Sequence, residues 1–362
     1  MILGLFLAIG ESLGDFESKG QLKRLINYNV KKYSQIFDKV YIFSFKNENV
    51  SLPKNCQLIG NKYQLHRYLY SLLIPIIHFN KVKECSVLRG LQITGGIPAL
   101  VAKIILRKKF VINYGYDYSE VARLEGKSLQ SLLYKVLEVP ILSLADKVII
   151  PAHAIAKKLG KRFKDKIVYI PNGVDTKLFF PPKDKKDSSP VNITFVGRLE
   201  KQKNLANLIK AAANFKNAYT LNFYGDGSQK GELTKLSRSL NVPLKISKPL
   251  DYENVAKVLR ICDIFVLPSY KEGSPKILLE AMSSGCAIMA SNIEEISEII
   301  KSGQSGILSD TDQRSLSKSL NELTSPKKRR MIGTNATKEI EKRYNIDRLL
   351  EEEVKVLLAA SK

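Results

Sequence analysis

The 362-residue sequence has few residues of the kinds that bind metals or form cross-links. It contains four cysteines and three histidines. The cysteines lack the spacing of a metal site, and Cys262 and Cys286 lie in or beside apolar strands, where cysteine usually acts as a small hydrophobic residue. The histidines do not cluster either. We therefore expect a metal-free protein of the reducing, cytosolic compartment.

Long apolar runs are also missing. No stretch reaches the roughly 20 residues that a membrane-spanning helix needs. The apolar segment at residues 1–9 is too short to span a membrane, and it lacks the basic region that begins a signal peptide. We interpret it as a buried first strand.

Acidic residues are outnumbered. The chain has 58 Lys and Arg against 35 Asp and Glu, which gives a net charge of +23. Residues 1–165 hold 26 basic and 12 acidic residues, a balance of +14, and the remainder holds 32 and 23, a balance of +9. This excess favours an anionic partner such as a nucleotide, a nucleic acid or an acidic lipid, although any single lysine fits a solvated surface equally well.

Short apolar segments alternate with segments of helical periodicity along the whole chain. At this length two domains are expected. The alternation predicts an α/β fold with two Rossmann-like, parallel-sheet domains facing a central cleft. The predicted strands are 2–9, 39–45, 86–88, 110–113 and 147–150, followed by 191–196, 219–224, 244–246, 264–267 and 287–290. The predicted helices include 22–33, 65–79 and 128–144 in the first half, and 204–215, 232–240 and 252–260 in the second.

The two halves also share a short pattern. Residues 145–152 and 262–269 both read as a small residue, Asp, a short apolar strand, Pro and a small residue. The pattern is placed at comparable points of two strand–helix runs. It therefore favours two similar halves.

Residues 265–285 predict a strand, a sharp loop and a helix. We expect Ser274 to be the N-cap and Pro275 the first helical residue, with Gly285 just past the helix end. Glu272 precedes the helix, and Glu280 lies about one and a half turns inside it. A loop that feeds a helix N-terminus is suited to an anion.

Two cations follow an earlier predicted strand that ends at Gly197. Arg198 and Lys203 suit a phosphate or diphosphate, although two surface cations in a loop would look the same. Glu280 would then accept from the hydroxyls of a diol. The alternatives are a solvated pair of Glu280 with Lys276, and an exposed loop acid at Glu272.

These segments together resemble the retaining GT-B glycosyltransferases of glycosyltransferase family 4 (group 1). The resemblance is carried by Glu272 and Glu280 with seven residues between them, and by three further motifs in the family's order. They are Pro-Asn-Gly-Val-Asp (171–175), Gly-Arg-Leu-x-x-x-Lys-Asn (197–204) and Tyr-Gly-Asp-Gly (224–227). The resemblance is specific over residues 145–310. The first half resembles the family in outline.

The resemblance implies metal-independent, retaining transfer of a hexose from a nucleotide diphosphate sugar, with UDP- or GDP-linked donors expected and no other cofactor. Arg198 and Lys203 would bind the donor diphosphate, and Glu280 would bind the ribose. Glu272, which with these two cations forms the catalytic set, would hold the transferred sugar together with Gly273, Ser274, Pro275, Lys276 and Ile277. Gly14, in the first strand–helix loop, would approach the phosphates from the other domain, although a plain connecting loop is equally compatible there.

The acceptor side departs from the family. Where many members carry a histidine that contacts the sugar, this sequence has Tyr114 and Tyr116, with Asp117 close by. At the end of a later strand, where the family commonly has a serine, this sequence has Ala152. His153 follows and is a further acceptor-side candidate, although a histidine at a helix start is more often structural.

We interpret Asp310-Thr-Asp312 as a helix cap and not as a metal site.

The resembled fold also implies that the last helix crosses back to the first domain. The predicted domains are therefore 1–168 with helix 344–362, on the acceptor side, and 169–343, which binds the nucleotide sugar. The acceptor would be a glycan or a lipid-linked molecule, as in polysaccharide biosynthesis. Nucleic acid is not an expected partner.

The apolar stripe at 68–79 is flanked by Lys62, Arg67, Lys81 and Lys83, which would suit peripheral contact with an acidic membrane. An ordinary core-facing helix is the simpler interpretation. We expect a cytoplasmic enzyme, at the inner face of the cell membrane if that contact forms. The alternatives are a glycoside phosphorylase or sugar-phosphate synthase on the same fold, and a basic nucleic-acid-binding protein, for which no motif is present.

Overall fold

The computed structural model describes residues 1–18, 20–115, 118–124, 126–183 and 188–362. The chain divides into one unit of Met1–Pro171 with Asp347–Lys362 and a second unit of Asn172–Ile346. The predicted boundaries, 168/169 and 343/344, lie three residues before those of the two units.

The first unit is built on a seven-stranded parallel sheet in the order β3-β2-β1-β4-β5-β6-β7. Its strands are β1 (Ile2–Phe6), β2 (Lys39–Phe43), β3 (Cys56–Ile59), β4 (Val87–Gly90), β5 (Phe110–Asn113), β6 (Lys147–Ile150) and β7 (Ile167–Tyr169). Its helices are α1 (Leu13–Ser18), α2 (Leu22–Arg24), α3 (Lys31–Ile36), α4 (Arg67–Ile77), α5 (Phe79–Glu84), α6 (Gln92–Leu106), α7 (Tyr118–Leu124), α8 (Ser128–Leu144) and α9 (His153–Leu159). A π-helical segment, Leu25–Val30, joins α2 to α3, and a 3₁₀ segment, Lys161–Lys166, follows α9.

The second unit is built on a six-stranded parallel sheet in the order β10-β9-β8-β11-β12-β13. Its strands are β8 (Val191–Val196), β9 (Tyr219–Tyr224), β10 (Leu244–Ser247), β11 (Ile264–Leu267), β12 (Ala287–Ser291) and β13 (Ile307–Ser309). Its helices are α10 (Leu205–Ala212), α11 (Lys230–Ser239), α12 (Tyr252–Ile261), α13 (Lys276–Ser283), α14 (Glu294–Ser297), α15 (Gln313–Asn321) and α16 (Pro326–Arg343). A 3₁₀ turn, Lys201–Lys203, precedes α10, and the chain ends in α17 (Ile346–Ala360).

Both sheets follow the same strand order. Counted from the first strand of each unit, the order is 3-2-1-4-5-6, and the first unit adds a seventh strand at its edge. This is the order of doubly wound α/β folds. The prediction of two Rossmann-like parallel sheets is confirmed.

The sequence did not predict α6, which contains Gly95, Gly96 and Pro98 and so looks like a loop. In the structure these glycines are packing residues. A Cβ at position 95 would lie 2.9 Å from the carbonyl oxygen of Phe6, and one at position 96 would lie 2.6 Å from Cγ2 of Ile141. The helix therefore approaches β1 and α8 more closely than a side chain would allow.

The pattern shared by residues 145–152 and 262–269 has a local structural role, which is to bind the neighbouring strand through its aspartate. The Asp146 carboxylate accepts from the backbone N–H of Phe110 at 2.9 Å, and the Asp263 carboxylate accepts from that of Asn192 at 2.8 Å. Each aspartate therefore binds the neighbouring strand near its start. The expectation of comparable positions is wrong, because β11 pairs with the first strand of its sheet whereas β6 pairs with the fifth.

The C-terminal helix packs within the first unit. Its residues Leu349, Leu350, Val354 and Leu357 are buried, so they form the side of the helix that packs on this unit. Glu353 accepts from the buried Arg89 of β4 at 2.8 Å and from the Tyr33 hydroxyl. Burial raises the pKa of Tyr33 well above its usual value, so this hydroxyl stays protonated and remains a donor.

Replacing Glu353 with alanine should destabilise the first unit by about 3–5 kcal/mol, because it leaves the buried Arg89 cation without a carboxylate to balance its charge. The matched control is Glu351→Ala, two residues away. Glu351 pairs with Lys32, but its side chain is 57% exposed, so its loss should cost at most about 1 kcal/mol. Urea unfolding measures both variants. Equal effects would show that the buried pair does not hold α17.

Candidate active site

The predicted site residues of the second unit follow parallel strands that lie side by side. The segment 197–204 follows β8, 225–229 follows β9 and 268–275 follows β11. In a doubly wound sheet the carboxyl ends of parallel strands lie at one edge, which is where such folds bind ligands.

Glycines allow the loops after β8 and β9 to lie against each other. A Cβ at position 225 would overlap the carbonyl oxygen of Gly197, and one at position 227 would lie 2.5 Å from the carbonyl oxygen of Leu199. The Leu199 N–H donates to the Asp226 carbonyl at 2.9 Å. This close approach explains the Tyr-Gly-Asp-Gly motif, and it fixes the backbone on either side of the exposed Arg198.

The loops after β8 and β11 are joined by two amide side chains. The Gln202 side chain donates to the carbonyl of Lys271 at 2.7 Å, and the Gln202 backbone carbonyl accepts from the backbone N–H of Tyr270 at 2.9 Å. Asn204 is buried in the left-handed conformation, and its side chain donates to the carbonyls of Pro268 and Thr311 at 3.1 and 2.7 Å. Neither amide was predicted. The available signal was an asparagine directly before the first apolar residue of a helix.

Lys203 and Glu272 form an ion pair between these two loops. The ammonium lies 2.6 Å from Oε1 of Glu272, and the two side chains are 14% and 10% exposed. The same oxygen accepts from the hydroxyl of the buried Ser269 at 2.6 Å. Glu272 is therefore not an exposed loop acid. Two residues that were predicted as catalytic are in direct contact, in surroundings that strengthen electrostatic interactions.

Glu280 lies on the buried side of α13 and is 5% exposed, so it is not a solvated surface acid. Lys276, at the first turn of the helix, is exposed.

The cap of α13 differs from the prediction by one residue, because the helix begins at Lys276 and Pro275 is its N-cap. The carbonyl of Ser274 accepts from the Asn172 side chain at 2.9 Å, which ties the Pro-Asn-Gly motif to this loop. Gly285 has a φ of +70° directly after the C-cap, as predicted.

The predicted residues of the first unit have partners within that unit. The N–H of Gly14 donates to Oε2 of Glu48 at 2.8 Å, and that of Leu13 donates to Oε1 at 2.8 Å. A carboxylate of the chain therefore occupies the N–H groups at which we expected phosphate. The contribution of Gly14 to donor binding stays a prediction.

The acceptor-side candidates are placed as follows. Tyr114 is buried, and its hydroxyl donates to Glu138 at 2.9 Å. His153 begins α9 and stacks on Tyr169, with ring centroids 3.9 Å apart. Tyr116 and Asp117 lie outside the described residues. A shared acceptor-side role for these residues also stays a prediction.

The Asp310-Thr-Asp312 segment is a helix cap, as expected. The Asp312 carboxylate accepts from the N–H of Ser315 at 3.0 Å at the start of α15, and hydrogen bonding to Ser315 lowers the pKa of Asp312. Within the described parts of the chain, no three His, Cys, Asp or Glu residues are grouped so that they could hold a metal ion.

Comparison with known proteins shows which family and which folds this chain is similar to. The model of the family described as "Glycosyl transferases group 1" matches residues 177–339. An uncharacterised glycosyltransferase of Methanocaldococcus jannaschii is 29% identical over 71% of this chain and 70% of its own length. The UDP-Gal:alpha-D-GlcNAc-diphosphoundecaprenol alpha-1,3-galactosyltransferase of Escherichia coli is 27% identical over 82% of this chain and 78% of its own length.

Solved structures share the fold. The Anabaena HepE structure in complex with UDP and glucose superposes with a TM-score of 0.78. The alignment covers 99% of this chain and all of the other, at 17% sequence identity. Both parallel-sheet units are therefore within the matched fold.

Two glycines near the site should respond in opposite ways to alanine. Gly225→Ala should destabilise the second unit by about 1–3 kcal/mol, because its Cβ overlaps the Gly197 carbonyl oxygen. Gly231, in the first turn of α11, has nothing within 4 Å of an added Cβ. Its alanine variant should be about 0.5–1 kcal/mol more stable. Thermal unfolding compares them, and a neutral Gly225→Ala would show that the two loops do not need to touch.

Proposed function

We propose that the chain moves a hexose from a UDP-linked sugar to a lipid-linked glycan. The proposal starts from the match of residues 177–339 to the group 1 glycosyl transferases and from the GT-B fold. The proposed transfer retains the anomeric configuration and uses no metal ion. The observation that carries the proposal is the Lys203–Glu272–Ser269 network between the loops after β8 and β11.

The network suits a nucleotide sugar because it combines the two kinds of group that such a donor needs. Lys203 supplies a cation for a diphosphate, and the exposed Arg198 on the same loop can bind the other phosphate in a bidentate manner. Glu272 and the buried Glu280 supply acceptors for sugar and ribose hydroxyls. The N-terminus of α13 adds N–H groups and the positive end of a helix dipole.

These charges also account for the proposed absence of a metal. Sugar transfer leaves a nucleoside diphosphate, whose negative charge grows as the glycosidic bond breaks. Arg198, Lys203 and the α13 dipole can offset that charge where another enzyme would use Mg²⁺. In the retaining reaction the acceptor hydroxyl attacks from the face that the diphosphate leaves. The leaving phosphate oxygen takes the hydroxyl proton, so no separate protein base is required.

The donor and acceptor are proposed from relatives. The Escherichia coli relative is named for a UDP-galactose donor and a diphosphoundecaprenol-linked acceptor, and the Anabaena structure holds UDP and glucose. We therefore favour UDP over GDP as the nucleotide and a lipid-linked glycan as the acceptor. Among the described helices, none is both long and apolar enough to cross a bilayer. We propose that the enzyme meets its acceptor at the inner membrane face, because the proposed acceptor is anchored to a lipid.

Removing either partner of the central ion pair should abolish transfer. In Lys203→Ala and Glu272→Gln we expect kcat/KM to fall by about 10²–10³ or more, because each change removes a charge that acts on the donor. The control is Lys201→Ala, in the same 3₁₀ turn, where the side chain is exposed. Transfer is measured with UDP-sugars on lipid-linked and sugar-phosphate acceptors. Wild-type rates in Lys203→Ala would refute the proposed site, and transfer confined to sugar phosphates would indicate a synthase.

Chelation tests metal independence, and the stereochemistry of the product tests retention of the anomeric configuration. We expect EDTA to leave the rate within about twofold of the untreated enzyme, since the charge on the leaving group is offset by side chains and a helix dipole. The product from an α-linked UDP-sugar should show an α-anomeric proton coupling by NMR. A rate that is lost in EDTA and restored by Mg²⁺ would contradict metal independence, and a β product would contradict retention.

A further inference from the structure

The first unit exposes an apolar helix face on α8. Leu129, Leu132 and Val136 are 83%, 59% and 61% exposed, and Leu133 is 47% exposed. Their spacing (i, i+3, i+4, i+7) places them on one side of the helix. In an ordinary surface helix this side would face the core. In α8 the core contacts are made from the other side, by Ile141 and Leu142 among others.

Helix α4 is apolar on two sides. Tyr70 and Ile74 are buried in the same core as Ile141 and Leu142, so the interpretation of α4 as a core-facing helix is confirmed. A second stripe faces solvent, where Leu69, Leu72 and Ile76 are 48%, 50% and 56% exposed. A helix with apolar residues on both sides is typical of complete burial, and α4 is not completely buried.

The exposed stripes belong to one layer of helices. Helix α6 packs against α4 on one side and α8 on the other, and all three contribute to one core cluster. Their exposed sides therefore form the outer face of a single layer. Ile104 and Ile105, near the end of α6, are 65% and 47% exposed and extend the apolar area. We call this outer face of α4, α6 and α8 the apolar face. Areas of this kind on a protein surface mark an interaction site.

The charges around the apolar face identify the partner. Over the three helices there is one carboxylate, Glu138, which is half-buried and accepts from Tyr114. The exposed cations are Arg67, whose guanidinium lies 5.1 Å from the Tyr68 ring centroid, and Lys135. Lys83 is in α5, the helix that follows α4, and its ammonium lies 5.8 Å from the ring centroid of the exposed Phe79. A second copy of the chain would bring equal positive charge to this face, whereas an anionic lipid surface would neutralise it.

We propose that the apolar face binds the surface of an anionic phospholipid bilayer. The leucine, isoleucine and valine side chains enter the boundary between headgroups and acyl chains, and Arg67, Lys83 and Lys135 contact lipid phosphates. The purpose of this contact rests on the proposed function, because it would bring the first unit to a lipid-linked acceptor. The binding itself rests on exposure and charge alone.

Vesicle sedimentation of the full chain tests the proposal. We expect binding to phosphatidylcholine vesicles that contain roughly one-third phosphatidylglycerol, and at least about tenfold weaker binding to phosphatidylcholine alone. The double variant Leu132→Ser/Val136→Ser should bind the anionic vesicles at least about tenfold less tightly, because it removes two inserted apolar groups. The control is Ile261→Ser on α12 of the second unit, which is 63% exposed and should bind as the wild type does.

Four results would overturn the proposal. They are failure of the wild type to bind anionic vesicles, wild-type binding by the double variant, equal binding to both kinds of vesicle, and a stable dimer in light scattering that the double variant dissociates. Turnover of a water-soluble acceptor separates the two proposals, and the double variant should keep this activity. A wild-type enzyme that is active but does not bind anionic vesicles refutes the membrane face alone, whereas wild-type vesicle binding without sugar transfer refutes the proposed function alone.

Discussion

The ion pair between Lys203 and Glu272 is the interaction on which the site depends. It links the loop after β8 to the loop after β11, and the Ser269 hydroxyl donates to the same carboxylate. Both charges are mostly shielded from water, so each would be costly without the other. The ammonium that we assign to the donor diphosphate is thus already in place before a ligand arrives, balanced by the carboxylate that we assign to the sugar. A bound donor would bring phosphate to Lys203 and hydroxyls to Glu272. The ion pair between these two side chains would then be replaced by charged and hydrogen-bonded contacts with the donor.

Much of the fold could be predicted because strand–helix alternation is a periodic signal. Ten of the strands were placed in this way. The missed strands β7 and β13 are three residues long, and β3 is an edge strand with an exposed glutamine, so none of them shows a clear pattern. Helix α6 was missed for another reason. Its glycines fit the helix closely against β1 and α8, and their role is visible only when those neighbours are known.

The site was partly predictable for a similar reason. Arg198, Lys203, Glu272 and Glu280 are charged residues at fixed spacing next to strand and helix ends, and spacing is written in the sequence. Gln202, Asn204 and Asn172 act by donating to backbone carbonyls of distant segments. Any amide in a loop could make such a hydrogen bond. Every residue has a backbone carbonyl, so the sequence does not indicate which one is the acceptor. The periodicity of α8 predicted the helix correctly, but it could not show that the apolar side faces outward.

The apolar face also affects how readily copies of the protein associate in solution. A molecule that carries exposed leucines is prone to self-association, and here the opposing force is the mutual repulsion of copies that each carry +23. That repulsion acts over a screening length of about 8 Å at physiological ionic strength and about 3 Å in 1 M salt. The same lysines and arginines that would attract the chain to a lipid surface therefore keep its copies apart in water. Concentrated salt, which is the usual remedy for a basic protein that sticks to nucleic acid or glass, would remove the protection that keeps this one dispersed.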